Sequence, residues 1–345
     1  MRALGGSVRI GVREWPPAAF SVVMGSGITS TALERAGAGG WSIPPLVVAL
    51  ASFVLLLGVA VARLVVMPGA VVSSFKKPPQ AFGYFTVVAA ASVLAVRLKS
   101  AGLDTVAVVF AGFAVVVGVV ALYVVPAALV VRSGTRADEP GPDGSWLLWV
   151  VALESLCLVV CTVDLNLPAV AAVAFGLWSS GVLLYLILAA LVLSRLLTRP
   201  MTSDSLLPSY WILSGATAIS SLAAIRLLDV RPESTFVEDL RPTITGAAFA
   251  LWAFGTWWIP LLVALGAWRY AAGHYRARYE LGLWNIVFPL GMFSTASIAL
   301  GDLVALPSVT YLGKLVAELA GVCWALTLGA LLVRSGRGDR STRSR

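Results

Sequence analysis

Residues 104–131 read DTVAVVFAGFAVVVGVVALYVVPAALVV, a run of 28 residues in which Asp104 is the only charged side chain. A helix needs about 20 apolar residues to cross the roughly 30 Å hydrocarbon core of a bilayer. The run does not alternate between polar and apolar side chains, as the strands of a membrane β-barrel do. The stretch therefore predicts a transmembrane helix.

Nine further stretches are long and apolar enough to form helices of the same kind. The first and the fifth are among the shortest. Only helices fit such runs, because the bilayer core offers no water to the backbone and a helix satisfies its backbone hydrogen bonds internally. The ten predicted spans are 17–33, 43–66, 80–98, 104–131, 146–164, 167–197, 208–228, 243–268, 282–304 and 308–333. The predicted fold class is an all-α polytopic membrane protein with ten transmembrane helices.

The composition excludes several functional classes. Apolar residues make up 59% of the 345 residues and charged residues only 12%, whereas soluble domains average about 45–50% and about 25%. The only histidine, His274, excludes paired-histidine metal or haem sites, so no cofactor is expected. Basic runs with interleaved aromatics and the common enzyme motifs are missing from the sequence. Nucleic acid is therefore not an expected partner, and a membrane enzyme is only a remote alternative.

Lysine and arginine concentrate on one side of the predicted membrane. With the N-terminus inside, the cytoplasmic segments hold 18 of the 25 basic residues, the outer segments hold 6, and Lys314 lies within a span. Cytoplasmic loops of membrane proteins carry such an excess. The distribution predicts a multi-pass protein of the cell membrane with a cytoplasmic segment 1–16, a transmembrane domain 17–333 and a basic cytoplasmic tail 334–345.

The spans also repeat in pairs. The first spans of successive pairs begin near residues 17, 80, 146, 208 and 282, and the first two units open alike, with PPAAF at 16–20 and PPQAF at 78–82. Proline suits the first turn of a helix, where its missing N–H has no partner to lose. This spacing predicts five helical hairpins around an axis. The alternative is ten unrelated spans with a chance regularity.

Small and hydroxyl side chains favour the odd-numbered spans, whereas spans two and four are almost pure hydrocarbon. Lipid-facing helices are rich in bulky apolar residues, so we expect the odd-numbered spans to form an inner ring. Small residues four positions apart, such as Gly291 and Thr295, would allow close helix packing or leave room for a channel, and the sequence favours both equally. Span seven shows the pattern with Ser214, Gly215, Thr217, Ser220 and Ser221.

Pro289 stands well inside the ninth span, directly after Phe288. A proline inside a helix frees a backbone carbonyl and kinks the helix, and in a membrane such a kink persists only where protein or a wet cavity surrounds it. The kink would aim the Phe288 ring at the axis as a gate. The ordinary alternative is that Phe288 fills the core.

Glu154 lies about two turns into the fifth span. An ionisable side chain at this depth costs about 2.5–3.5 kcal/mol on insertion scales, so it is a candidate site by default. Two interpretations stay open: a proton or coupling site, or an ion pair with a loop arginine.

Three motifs resemble those of a known family. They are MGSGITS at 24–30, YWILSGA at 210–216 and WNIVFPLGM at 284–292. They are similar to signatures of the tellurite-resistance/C4-dicarboxylate transporter family, which includes slow-type anion channels of plant guard cells and bacterial tellurite-resistance permeases. The resemblance extends from about residue 14 to 333, and the ninth-span motif is its most specific part.

The resemblance implies five helical hairpins around a central pore, with odd-numbered helices inside, in each protomer of a homotrimer. It implies that Phe288 closes the pore and that the pore glycine of span one is Gly25 or Gly27, of which Gly27 is preferred. The candidate pore-lining residues are Phe20, Gly25, Gly27, Gly215, Pro289 and Gly291. The chain departs from the related bacterial sequences in span five, where it carries Glu154. A carboxylate near an anion path repels anions unless it is protonated.

The expected function is transport of small anions through a channel-like pore in the lipid bilayer. One charge crossing 100 mV is worth about 2.3 kcal/mol, so a passive pore in an inside-negative cell would release anions. The alternative is a proton-coupled dicarboxylate or sulfite carrier that uses Glu154. The sequence leaves tellurite, sulfite, malate, nitrate and chloride open as substrates.

Overall fold

A computed structural model describes residues 15–131, 141–163, 169–230, 235–272 and 279–343. Side chains at 235, 236 and 272 and beyond Arg334 are not described, so most of the predicted segment 1–16 and of the tail 334–345 lies outside these residues, as does His274. Within the described ranges the regular structure is entirely helical, and a helix occupies each predicted span. The all-α polytopic fold class is confirmed.

We number the long helices in chain order and leave the shorter helical segments, such as Pro68–Phe75, unlabelled. They are α1 (Ser21–Arg35), α2 (Gly39–Val66), α3 (Phe85–Ser100), α4 (Asp104–Val131), α5 (Leu148–Thr162), α6 (Val170–Thr198), α7 (Ile212–Leu228), α8 (Thr235–Ala272), α9 (Trp284–Leu303) and α10 (Pro307–Arg343).

The odd-numbered helices are shorter than the even-numbered ones. They have 15 to 20 residues, whereas the even-numbered helices have 28 to 38. Nine helical segments in the described part of the chain are long and apolar enough to cross a membrane. The remaining helix, α1, is about 22 Å long at 1.5 Å per residue, and a turn of 3₁₀ helix at Pro17–Phe20 extends it.

Burial separates the two sets of helices. The most apolar windows of the segments containing α3, α5, α7 and α9 are 72–89% buried, whereas those of the even-numbered helices are 17–28% buried. In α1, 12 of the 15 residues are buried. Each odd-numbered helix packs against the even-numbered helix that follows it and against odd-numbered neighbours on both sides, and α9 returns to α1. The five odd-numbered helices therefore form a closed inner ring that the even-numbered helices cover.

The inner helices begin alike. A turn of 3₁₀ helix leads directly into α1, α5, α7 and α9, and a short helix, Pro78–Gly83, leads into α3 through Tyr84. Prolines occupy the start of three of these five lead-in segments. Because proline adopts helical φ without needing an N–H partner, these residues start the inner helices at matching points of the repeat.

A buried guanidinium holds the other ends of the first inner helices together. Arg97 of α3 is 5% exposed, forms an ion pair with Glu34 of α1 at 2.9 Å and donates to the Ser30 and Ser42 hydroxyls at 2.9 and 3.3 Å. Hydrogen bonds to a charged group contribute about 1.5–3 kcal/mol. Arg97 thus fixes α1, α2 and α3 to one another near the C-terminal ends of α1 and α3.

Candidate functional site

A cavity lies among the C-terminal halves of the inner helices, and all five helices contribute to its wall. The wall is formed by Ile28, Thr31 and Arg35 of α1, Ser92, Val93 and Val96 of α3, Ser155, Leu158 and Thr162 of α5, Leu222 and Arg226 of α7, and Met292 and Thr295 of α9. Because the same cavity touches every helix of the ring, it lies on the axis of the ring.

The charged side chains of this cavity are both positive. Arg35 ends α1, and Arg226 lies in the last turn of α7, 34% exposed and 3.4 Å from Asp229. The residues that form the wall include no carboxylate. Positive charge in a narrow cleft with low-dielectric walls raises the local concentration of anions. The cavity is therefore suited to anions rather than cations.

Phe288 lies on the face of α9 that lines this cavity. It precedes Met292 by four residues and Thr295 by seven, so the three side chains share one helical face. Phe288 is fully buried. One turn before the lining residues Ile28 and Ser155, the same faces of α1 and α5 carry the buried apolar side chains of Met24 and Val151. One turn towards the N-terminal ends of these helices from the cavity, the same faces thus carry buried apolar side chains, among them Phe288.

Two of the predicted glycines flank Phe288. A Cβ atom on Gly25 would lie 2.9 Å from Trp284 and 3.5 Å from Val287, and a Cβ on Gly215 would lie 2.9 Å from the Pro289 ring. Val287 and Pro289 are the chain neighbours of Phe288. The two glycines therefore let α1 and α7 approach α9 closely at Val287 and Pro289, the residues on either side of Phe288 in the chain.

The other predicted pore-lining residues lie at different contacts. Gly291 packs on α1, since its Cβ would lie 2.9 Å from the Ile28 side chain and 3.3 Å from the Thr29 backbone nitrogen. A Cβ atom on Gly27 would lie 2.7 Å from the Val93 side chain of α3. Phe20 packs edge-on against Phe53 of α2, with ring centroids 5.7 Å apart. Each of these positions is a site of helix packing in the structure.

Glu154 lies beside the ring and not on the cavity wall. Its side chain is fully buried, and one carboxylate oxygen accepts a hydrogen bond from Ser220 of α7 at 2.8 Å. The same oxygen lies against Gly181 of α6, where a Cβ atom would have no room. Among the described residues its hydrogen-bond partner is thus a serine, not an arginine. The adjacent residue on α5, Ser155, lines the cavity instead.

Sequence reasoning missed Ser92, Ser155, Arg35 and Arg226 as site residues. The two arginines could have been predicted, because each stands at the outer end of a span that is rich in small residues. The serines could not have been predicted in this way, since the inner helices are apolar or small on every side and show no polar stripe that marks the inner face.

Several known proteins that are similar to this chain are named as membrane proteins or transporters. An uncharacterized membrane protein of Mycobacterium tuberculosis is 36% identical over 165 residues, which cover 46% of this chain and 82% of that protein. An uncharacterized transporter of Methanocaldococcus jannaschii is 28% identical over 154 residues, 45% of this chain and 42% of that protein. A sulfite efflux pump of Trichophyton rubrum is 22% identical over 356 aligned positions, 94% of this chain and 92% of the pump.

The family described as SLAC1, voltage-dependent anion channel, matches residues 14–332. This range contains all ten helical segments up to the end of the last span, including the axial cavity and Phe288. The chain therefore belongs to the SLAC1 family of anion channels and transporters and is a multi-pass membrane protein of anion transport.

Proposed function

We propose that the protein conducts small anions along the axis of the inner ring and that the Phe288 ring closes this path. The observation that carries the proposal is a cavity whose wall includes residues of all five inner helices, among them Arg35 and Arg226. Phe288 lies one turn before the cavity residue Met292 on the same face of α9, among buried apolar side chains. Hydrophobic constrictions of this kind gate pores by excluding water.

The opposite end of the ring also favours anions. All five inner helices run in the same direction, so their N-termini meet at one side of the membrane, which we take to be the cytoplasmic side because most of the basic residues belong to that side. A helix N-terminus carries a partial positive charge and free N–H donors. An anion leaving the cytoplasm would meet these dipoles first, pass Phe288 and then reach the cavity with the two arginines.

This topology favours release of anions from the cell. In an inside-negative cell each 100 mV drives a monovalent anion outward by about 2.3 kcal/mol, without a coupled ion. The similarity to a sulfite efflux pump supports the same direction. Cytoplasmic termini, a cell-membrane location and a homotrimer are part of this proposal.

The proposal is tested by a flux assay on the purified protein in liposomes, with chloride, nitrate, sulfite, tellurite and malate supplied in turn. We expect anion flux that follows the anion gradient and the membrane potential and does not require a proton gradient. Flux that requires an inward proton gradient for every anion would favour a carrier. The absence of flux for all five anions, also from the opened Phe288 variant discussed below, would contradict the proposal.

The proton-coupled carrier remains the second candidate because Glu154 is a buried acid in the membrane. Its place against Gly181 and Ser220, off the cavity wall, favours a packing role. We therefore expect Glu154→Gln to leave anion flux and its pH dependence unchanged, since glutamine still accepts the Ser220 hydrogen bond. Glu318→Gln, on the exposed side of α10, is the matched control. Loss of pH-dependent flux in Glu154→Gln alone would favour the carrier.

A further inference from the structure

The hydroxyl groups of the three threonines in the cavity wall all donate hydrogen bonds to backbone carbonyls. Thr31 donates to the Gly27 carbonyl at 3.1 Å, Thr162 to the Leu158 carbonyl at 2.6 Å, and Thr295 to the Gly291 carbonyl at 2.9 Å. Such bonds to the carbonyl one turn back are common for hydroxyl residues in helices. These threonines therefore have only lone pairs left for the cavity.

The two serines of the same wall are different. Ser92 and Ser155 are 2% and 1% exposed, yet neither Oγ atom has a hydrogen-bond partner among the described residues. A buried hydroxyl without a partner costs about 1–3 kcal/mol. A bond to the carbonyl one turn back would avoid this cost, but neither serine makes that bond. Among the described residues of the cavity wall, the hydroxyl donors without a protein acceptor are thus these two serines.

The serines lie at similar depth on neighbouring helices. Ser92 precedes the end of α3 at Ser100 by eight residues, and Ser155 precedes the end of α5 at Thr162 by seven. Both therefore lie about 10–12 Å inside the ends of their helices, at 1.5 Å per residue. The wall beside them is apolar at Val93, Leu158 and Met292.

We propose that Ser92 and Ser155 form an anion subsite in which both hydroxyls donate to the same small anion. This inference rests on the proposed function, because it takes the cavity to be the conduction path. A cation would meet two arginines and no carboxylate in this cavity, whereas an anion finds two uncommitted donors.

The subsite also selects by charge. Two neutral hydroxyls replace only part of an anion's hydration shell, and dehydration costs a doubly charged anion far more than a singly charged one of similar size. Chloride, bromide and nitrate therefore bind here, and dianions such as malate are disfavoured. Two neutral donors also hold an anion weakly enough to release it, which conduction requires.

Bromide is the probe that locates the subsite, because its anomalous scattering distinguishes it from water. Crystals of the wild-type protein grown with sodium bromide should show an anomalous peak within hydrogen-bond distance of both Oγ atoms. The peak should disappear in the double variant Ser92→Ala/Ser155→Ala. Ser221→Ala is the matched control, because Ser221 lies on inner helix α7 but donates to the Ala248 carbonyl of α8 at 2.8 Å, and this variant should keep the peak.

Reversal potentials in the Phe288→Ala background give the second measurement. We expect each Ser→Ala change to lower the chloride-to-malate permeability ratio about fivefold, since a hydrogen bond contributes about 1 kcal/mol, and Ser221→Ala to leave it unchanged. A bromide peak without conductance would support the subsite and contradict the proposed function. Conductance with unchanged ratios and water, not bromide, between the serines would overturn the subsite alone.

Discussion

Replacing Phe288 by alanine is expected to raise the anion conductance of liposomes containing the purified protein by at least about tenfold, equivalent to about 1.4 kcal/mol of barrier. The ring is fully buried on the face of α9 that lines the cavity. We expect its removal to leave a space that Gly25 and Gly215, which lie against the neighbouring residues Val287 and Pro289, cannot refill because they have no side chains. Water then joins the cavity to the opposite end of the ring.

Phe293→Ala is the matched control for this change. Phe293 lies on the same helix and is 2% exposed, but it stacks on Trp252 of α8 with ring centroids 6.0 Å apart, on the outer side of the ring. This variant should lose stability by about 3–5 kcal/mol, as buried Phe→Ala changes do, without gaining conductance. A folded Phe288→Ala protein with wild-type conductance would rule out the gate.

Gly215→Ala is expected to destabilise the protein by about 1–3 kcal/mol, the usual cost of overpacking a core. The new methyl group would meet the Pro289 ring at 2.9 Å and the Pro289 Cα at 3.3 Å. A proline ring cannot rotate away as a flexible side chain can, so α7 and α9 must separate beside Phe288. Thermal unfolding of the detergent-purified protein measures the change.

Two further variants separate a local clash from a general effect of the methyl group. Gly176→Ala of α6 adds the same group where no atom lies within 4 Å, and it should be neutral or stabilising because alanine is the better helix former by about 1 kcal/mol. Combined with Pro289→Ala, the Gly215→Ala change should cost less than it does alone, since the two residues are in contact. Additive losses would show that the contact does not limit the packing.

The sequence predicted the helices well where hydropathy alone decides their extent. The fourth span was predicted at 104–131 and is observed at Asp104–Val131. The eighth was predicted at 243–268 but extends over Thr235–Ala272, because its first turns are polar and are held by contacts such as the Glu238–Arg241 ion pair. A hydropathy pattern does not predict such polar helical turns. It also does not predict the break at Tyr84 between the short helix Pro78–Gly83 and α3.

The site was harder to predict because it depends on which side of each inner helix faces the axis. Inner helices contact protein all round, so their sequences lack the polar stripe that orients an amphipathic helix. Ser155 lines the cavity, whereas the adjacent Glu154 packs against α6 and α7. Which of these two neighbours faces the axis is decided by the rotation of α5, and the sequence does not reveal that rotation. The roles of Phe288 and of the predicted glycines stay predictions, now with contacts that explain how they would act.

The ring of inner helices is made by one polypeptide, and this has an evolutionary consequence. In a tunnel assembled from identical subunits, one mutation changes every subunit at the same level. Here each of the five segments has its own codons, so a mutation alters one point on the circumference and leaves four as they were. The proposed closure by a single aromatic and the proposed discrimination by a separate pair of hydroxyls can therefore diverge independently among descendants of this gene.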